Sequence, residues 1–334
     1  MNREKMIRTA MAMCGVILAL AVLFSVTDLF KGGGFGYADA EKYTVGEAEI
    51  GETVRNLDIH WINGRVELRY GPGSMIVLKE TSEKEIGPDL RLRWRMEGDT
   101  LRIQYAKSGL RFNWNQQKKL ILTVPEGTEF DDVSISATSG DLDVPALKAK
   151  NVRMESTSGN IAAAAEAETL AFHATSGDMN LNITGAASAI SAETTSGGIC
   201  LIAGEADSVR ISSTSGGIQT RANRVGQYKA GSTSGVVILD IGETREAEIG
   251  STSGDITLSV RKLGSLKVSA TSGKITARLP AEPGFTAKIG TASGKIDNLL
   301  PMTREDGKYV CGDGSGQVEI GTTSGNIVLE AAEQ

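Results

Sequence analysis

Two histidines and three cysteines are the residues with the widest chemical repertoire in this 334-residue chain. His60 and His173 each fall on the outward phase of an alternating apolar–polar stretch and read as surface residues. Cys14, Cys200 and Cys311 form no Cys-x-x-Cys pair and no Cys/His metal spacing. A Ser-His-Asp set and a phosphate-cradling loop are also missing. An enzyme working on polysaccharide from a repetitive β scaffold would need acids or bases clustered on one face of successive repeats. No repeat-phased position is consistently Asp, Glu, Arg or Lys. No catalysis, cofactor or metal is therefore expected.

One cluster could bind rather than react. Arg91, Arg93, Arg95, Arg102, Arg111, Lys118 and Lys119 lie near Trp94, Tyr105, Phe112 and Trp114. A basic aromatic face suits anionic glycans or teichoic-type polymers, with Trp94, Arg93, Arg95 and Trp114 as the candidate contacts. The alternative is outward charge on alternating strand positions. The net charge is −6 with both signs mixed along the chain, so nucleic acid is not an expected partner.

The element that must position everything else is a repeat. Thr-Ser-Gly, or Ala-Ser-Gly, ends at Gly140, Gly159, Gly177, Gly197, Gly216, Gly235, Gly254, Gly273, Gly294 and Gly325. The spacings are 19, 18, 20, 19, 19, 19, 19, 21 and 31 residues. Apolar residues recur two after the glycine (Leu142, Ile161, Ile199, Ile256) and five before it (Ile135, Met154, Ile211, Ile249). This is period-2 alternation on both sides of a turn, so each repeat reads as strand, glycine corner, strand and polar return. Coils that stack like on like leave strand edges only at the ends, which favours an all-β solenoid (β-helix) over a flat meander. A blade of a propeller needs about twice this period. The corner glycines are expected to supply positive φ or a bend too tight for a Cβ. The threonines two residues before them (Thr157, Thr214, Thr252 and their equivalents) form a hydroxyl ladder. They serve either corner hydrogen bonding or display to an ordered ligand such as a glycan or an ice lattice. A calcium ladder is excluded, because Val236, Lys274 and Lys295 follow the glycine in three repeats and cannot ligate the ion. Cys200 and Cys311 would lie five or six coils apart, roughly 25 Å, so no disulfide joins them.

Residues 132–330 are thus about ten coils of ~19 residues. Residues 53–131 read as a β-rich N-terminal cap. Its first stretch, Asn56–Leu68, is a degenerate coil around Gly64 with Trp61 closing the lumen. Strands are predicted at 75–80, 90–96, 100–105 and 119–124. A hairpin insertion at about 299–316, turning at Asp306-Gly307, should project from the rod. Residues 1–30 carry Arg3, Lys5 and Arg8 before an uncharged run from Thr9 to Thr27. Its 19 residues, about 28 Å as a helix, suit a single transmembrane anchor with the bulk of the chain outside the cytoplasm. Cleavage near Ala40, at Ala38-Asp39-Ala40, and secretion is the competing reading. Residues 31–52 would be a flexible linker.

The segments ATSGDLDV, STSGNI, STSGDITL and TTSGNIVL, preceded by LDIHWINGRVEL and LILTVP, resemble a bacterial family of adhesin-like proteins known mainly as a domain of unknown function. LiaG-type membrane-anchored proteins of Gram-positive cell-envelope stress operons belong to it. The resemblance spans roughly 50–330 and implies a β-solenoid, an envelope setting and no established catalysis. The expected function is a membrane-anchored, non-catalytic surface-binding module. A solenoid that assembles end to end is the alternative, and a cell-wall polysaccharide enzyme stands third. A cell-wall glycan or an envelope protein is the expected partner.

Overall fold

The computed structural model describes residues 36–109, 116–305 and 308–333. The apolar run Thr9–Thr27 and Trp114 lie outside the described residues. No helix among the described residues is long and apolar enough to cross a membrane. The described residues are all-β, and 22 strands among them join into one hydrogen-bonded sheet with many parallel pairings.

Alternation in sequence becomes a lumen in three dimensions. In the strand Ile199–Ser213, the residues Ile199, Leu201, Ala203, Ala206, Val209, Ile211 and Ser213 point inward and are buried. The strand bends as it goes and pairs in parallel with Ile218–Ser232 along its length, Ile199 on Ile218 and Ser213 on Ser232. The same register continues into Val237–Ser251 and Ile256–Ser272. Each coil therefore lays its apolar row on that of its neighbour, giving a solenoid-like stack. Each buried Ile or Leu contributes about 1.5–3 kcal/mol of transfer free energy. Side chains compensate between layers: Tyr228 stands between Val209 and Ala247, and its hydroxyl donates to Thr220 Oγ1 at 2.9 Å inside the lumen.

The order of coils departs from chain order at both tips. Gly316–Ser324 lies between Ile256–Ser272 and Gly284–Ser293, with Ile320 beside both Val268 and Ile289. Ile327–Ala331 is likewise held between Ile275–Leu279 and Ile296–Asn298. The corner glycines thus stack in the order Gly273, Gly325, Gly294. At the other end Asn56–Gly71 pairs with Phe130–Val144 on one side and with Thr100–Gln104 and Lys118–Pro125 on the other. The degenerate coil around Gly64 is consequently the second layer, not the first. The first and last coils in chain order, 56–71 and 316–331, are thus hydrogen-bonded on both edges, which protects them from the fraying usual at chain ends.

The expected projecting hairpin folds back instead. Met302–Glu305 pairs with Lys308–Gly312, which pairs antiparallel with Gly284–Ser293. Leu300 and Cys311 are buried there, so apolar burial draws the insertion over the open lumen. The N-terminal tip is closed by Arg93–Glu97 on Thr100–Gln104 and by Ile76–Thr81 on Lys118–Pro125. Thr44–Val45 and Ala48–Ile50 complete its edges, so part of the expected linker is strand.

Candidate functional site

The Thr-Ser-Gly corner is built from three devices, one steric and two of hydrogen bonding, and only the steric one was visible as a glycine. A Cβ on Gly216 would lie 1.7 Å from the carbonyl oxygen of Gly197, and one on Gly235 would lie 1.9 Å from that of Gly216. The same clash recurs at Gly159, Gly177, Gly197, Gly254, Gly294 and Gly325. Close stacking, not positive φ, is therefore the reason for glycine at these corners. Gly273 alone among them has a φ of 151°. Gly140 is roomier, with Gly64 O at 3.3 Å.

The second device is the residue three before the glycine. Ser156, Ser213, Ser232 and Ser251 each accept the glycine N–H at 2.8 Å, and Thr194 does so at 3.2 Å. Ser156 and Ser213 also donate to the corner carbonyl of the preceding coil, Gly140 and Gly197. These side chains are buried. The third device follows the glycine. Asp141, Asn160 and Asp178 each accept the N–H of the equivalent residue one coil on, at 2.9, 3.0 and 2.8 Å. Asp255 does the same for Lys274 at 2.7 Å.

With the corner closed by those groups, the triplet's own hydroxyls face outward. Thr157, Thr195 and Thr323 are exposed and Thr175, Thr214, Thr233, Thr252 and Thr271 are half-exposed. The adjoining serines from Ser158 to Ser324 are exposed, among them Ser196, Ser215, Ser234 and Ser253. Successive layers are ~4.8 Å apart, so the edge presents a regular double row of hydroxyls. Such a row can donate and accept hydrogen bonds but carries no group able to act as a general base.

The predicted basic aromatic face is placed differently. Arg93 is 7% exposed, and its Nη2 donates to Pro88 O at 3.1 Å. Arg95 pairs with Asp39 at 3.3 Å and Glu97 at 3.0 Å, and its guanidinium stands 5.0 Å over the Tyr43 ring. Trp94 is half-buried against the core. Tyr37 packs against Tyr43 with ring centres 4.7 Å apart and planes tilted by 58°, so residues 37–43 cover this surface. Lys118 is fully enclosed. Its ammonium donates to Glu80 at 2.9 Å, Leu90 O at 2.5 Å and Tyr105 O at 2.6 Å, and lies 4.2 Å from the Tyr105 ring centre. Trp61 and Tyr105 meet edge to face at 5.0 Å beside it. Together they plug the lumen. Burial pushes Lys118 down to about 8, against the pull of Glu80.

A cleft of about 740 Å³ runs beneath the loop 50–55, along the opposite edge of the first coils. Its bases face its own acids: Lys148 pairs with Glu129 at 2.6 Å, and Lys150 with Asp131 at 2.6 Å. His60 is partly exposed and lies 3.0 Å from Asp58. No group of three or more His, Cys, Asp or Glu side chains suited to a metal ion occurs among the described residues.

The Toastrack DUF4097 family profile matches residues 54–243 and 165–330. Among curated proteins no match is found. Among solved structures, a "putative adhesin" from Parabacteroides distasonis is similar at 12% identity and a TM-score of 0.43, covering 86% of this chain and 97% of that one. A "putative adhesin" from Parabacteroides merdae has 13% identity and a TM-score of 0.41, covering 88% and 97%. A "putative lipid binding protein" from Parabacteroides distasonis has 16% identity and a TM-score of 0.43, covering 86% and 96%.

Proposed function

Because this chain belongs to the Toastrack DUF4097 family, we propose that it is an adhesin-like, non-catalytic surface module held outside the cell by its N-terminal segment. Its ligand on this reading is a hydroxyl-rich polymer of the cell-wall glycan class, laid along the Thr-Ser edge. The observation that carries the reading is that the triplet's hydroxyls are exposed while the buried serines three before the glycine close the corner. A rigid row of matched donors and acceptors suits a polymer with its own repeat, since many weak contacts add without ordering cost to the protein. The tether rests on the basic flank and the apolar run Thr9–Thr27. A role in envelope stress rests on the LiaG-type resemblance and belongs to the same proposal.

The test is retention of the full-length protein on insoluble cell-wall polymer, compared with a Thr195→Val, Thr214→Val, Thr233→Val, Thr252→Val variant. Valine keeps the shape and removes the hydroxyl. The reading expects retention to fall at least tenfold with unchanged thermal unfolding. Equal retention would refute it, and release of soluble sugar from the polymer would point to an enzyme instead.

A further inference from the structure

Arg93 and Arg95 share the face of their strand opposite to Trp94 and Met96, which pack on the core. They are ~7 Å apart along the strand. Arg93 is buried, yet among the described residues no acid pairs with it. Its Nη2 reaches a carbonyl, Pro88 O, and its Nη1 has no partner. The Nε of Arg95 is likewise buried without a partner. Native folds rarely enclose guanidinium donors unmatched, because each gives up its water with no replacement. Two such residues on one face mark a place for an anion that the chain's own acids fill only in part.

The part that is filled is filled by the covering segment. Asp39 brings a carboxylate to 3.3 Å from Arg95 Nη1, beside the Glu97 that Arg95 shares with Arg102. Asp39 is also the one described non-glycine residue with a positive φ, 53°, a backbone shape that costs an L residue energy. The cover is thin. None of residues 37–43 is buried. Tyr37 is tied to Ala106 and Ser108. From Ala38 to Tyr43 the backbone hydrogen bonds among the described residues are local, Lys42 N–H to Asp39 O and Tyr43 N–H to Ala40 O. We propose that residues 37–43 are a strap over an anion site, and that a polymer carrying successive phosphates displaces the Asp39 carboxylate to bind Arg93 and Arg95. Several linked charges prevail over the single one of Asp39, which favours a polymer over a lone ion. This ligand differs in class from the hydroxyl-rich polymer of the Thr-Ser edge, and the strap stands or falls without that reading.

Calorimetric titration of the full-length chain with polyphosphate tests this, with inorganic phosphate as the comparison. Inorganic phosphate should bind at least about tenfold more weakly. Asp39→Asn keeps the turn, removes the competing charge and should tighten polyphosphate about fivefold. Glu41→Gln removes the same charge from an exposed side chain that has no ion pair among the described residues, and should change nothing. Arg95→Gln, made on Asp39→Asn so that the strap is already loosened, should weaken binding about tenfold. Arg93→Gln on the same background should do likewise; if its melting curve shows that it does not fold, Arg95→Gln carries the test. Exchange of the hydrogen-bonded Tyr37, Lys42 and Tyr43 N–H groups should quicken when polyphosphate is added. No binding by the native chain or by Asp39→Asn would overturn the proposal. So would equal effects of Asp39→Asn and Glu41→Gln, which would mean attraction to bulk charge. Binding that survives Arg95→Gln, that leaves exchange in the strap unchanged, or that inorganic phosphate equals would also overturn it.

Discussion

Ser213 Oγ accepts the N–H of Gly216 at 2.8 Å while donating to Gly197 O, one coil below, at 3.2 Å. One buried hydroxyl thus ties a corner to itself and to its neighbour. Ser213→Ala leaves the Gly216 N–H without that acceptor and should cost about 1–2 kcal/mol in urea unfolding. Ser213→Thr should cost little, because Thr194 accepts the Gly197 N–H in the same way in its own coil. Gly216→Ala should be far worse, with its Cβ 1.7 Å from a backbone oxygen that cannot swing aside.

The residue after the corner glycine offers a stabilising change. Asp255 Oδ1 accepts the Lys274 N–H, and Asn160 accepts the Asp178 N–H. Val236 holds the same place with 47% exposure and no acceptor to give. Val236→Asn should raise stability by about 0.5 kcal/mol in denaturant titration, one net hydrogen bond at an exposed site. A loss of stability would show that this position does not reach the next coil.

Inside the lumen, Tyr228→Phe strands the Thr220 hydroxyl, which is 1% exposed. The expected loss is about 1–2 kcal/mol, and Tyr228→Phe with Thr220→Val should recover most of it. A double-mutant cycle in urea measures the coupling.

The Lys118 plug predicts a pH dependence of stability. Its folded value lies near 8, held down by burial, whereas an unfolded lysine titrates near ~10.4. Between the two the unfolded chain binds a proton that the folded chain does not, so stability rises with pH across that interval and is flat below it. Tyr105 works the other way: burial, with Glu80, raises it to about 12, so its contribution falls above pH ~10. Urea melts across that range should show a rise that Lys118→Met abolishes. That variant should also be less stable at neutral pH by about 3–5 kcal/mol, since Glu80 keeps only the Leu92 N–H at its carboxylate.

The coil and its inward face were legible because alternation and the glycine period are local properties of sequence. Leu57, Ile59, Trp61, Val66 and Leu68 are all buried, as their phase predicts. The layer order was not legible. Gly325 and Gly294 sit in nearly identical flanks, and nothing local distinguishes which one stacks on Gly273. Lys118 could have been found: it shares the phase of Leu120, Leu122 and Val124, but a Lys-Lys pair reads as surface. Arg93 and Arg95 read as a contact face because nothing local reveals that Tyr37 and Tyr43 fold across them. The serine three before the glycine was hidden by the more regular threonine next to it, although it alone lies on the inward phase.

Glycine-over-glycine stacking with the last coil inserted one layer in is most directly tested by electron–electron spin distances between labels on exposed corner serines. With one label on Ser158, a partner on Ser253 should lie at ~24 Å, one on Ser324 at ~34 Å and one on Ser293 at ~38 Å, five, seven and eight layers away. The account requires Ser324 to be nearer than Ser293. A longer distance to Ser324 than to Ser293, or distances unrelated to layer number, would contradict it.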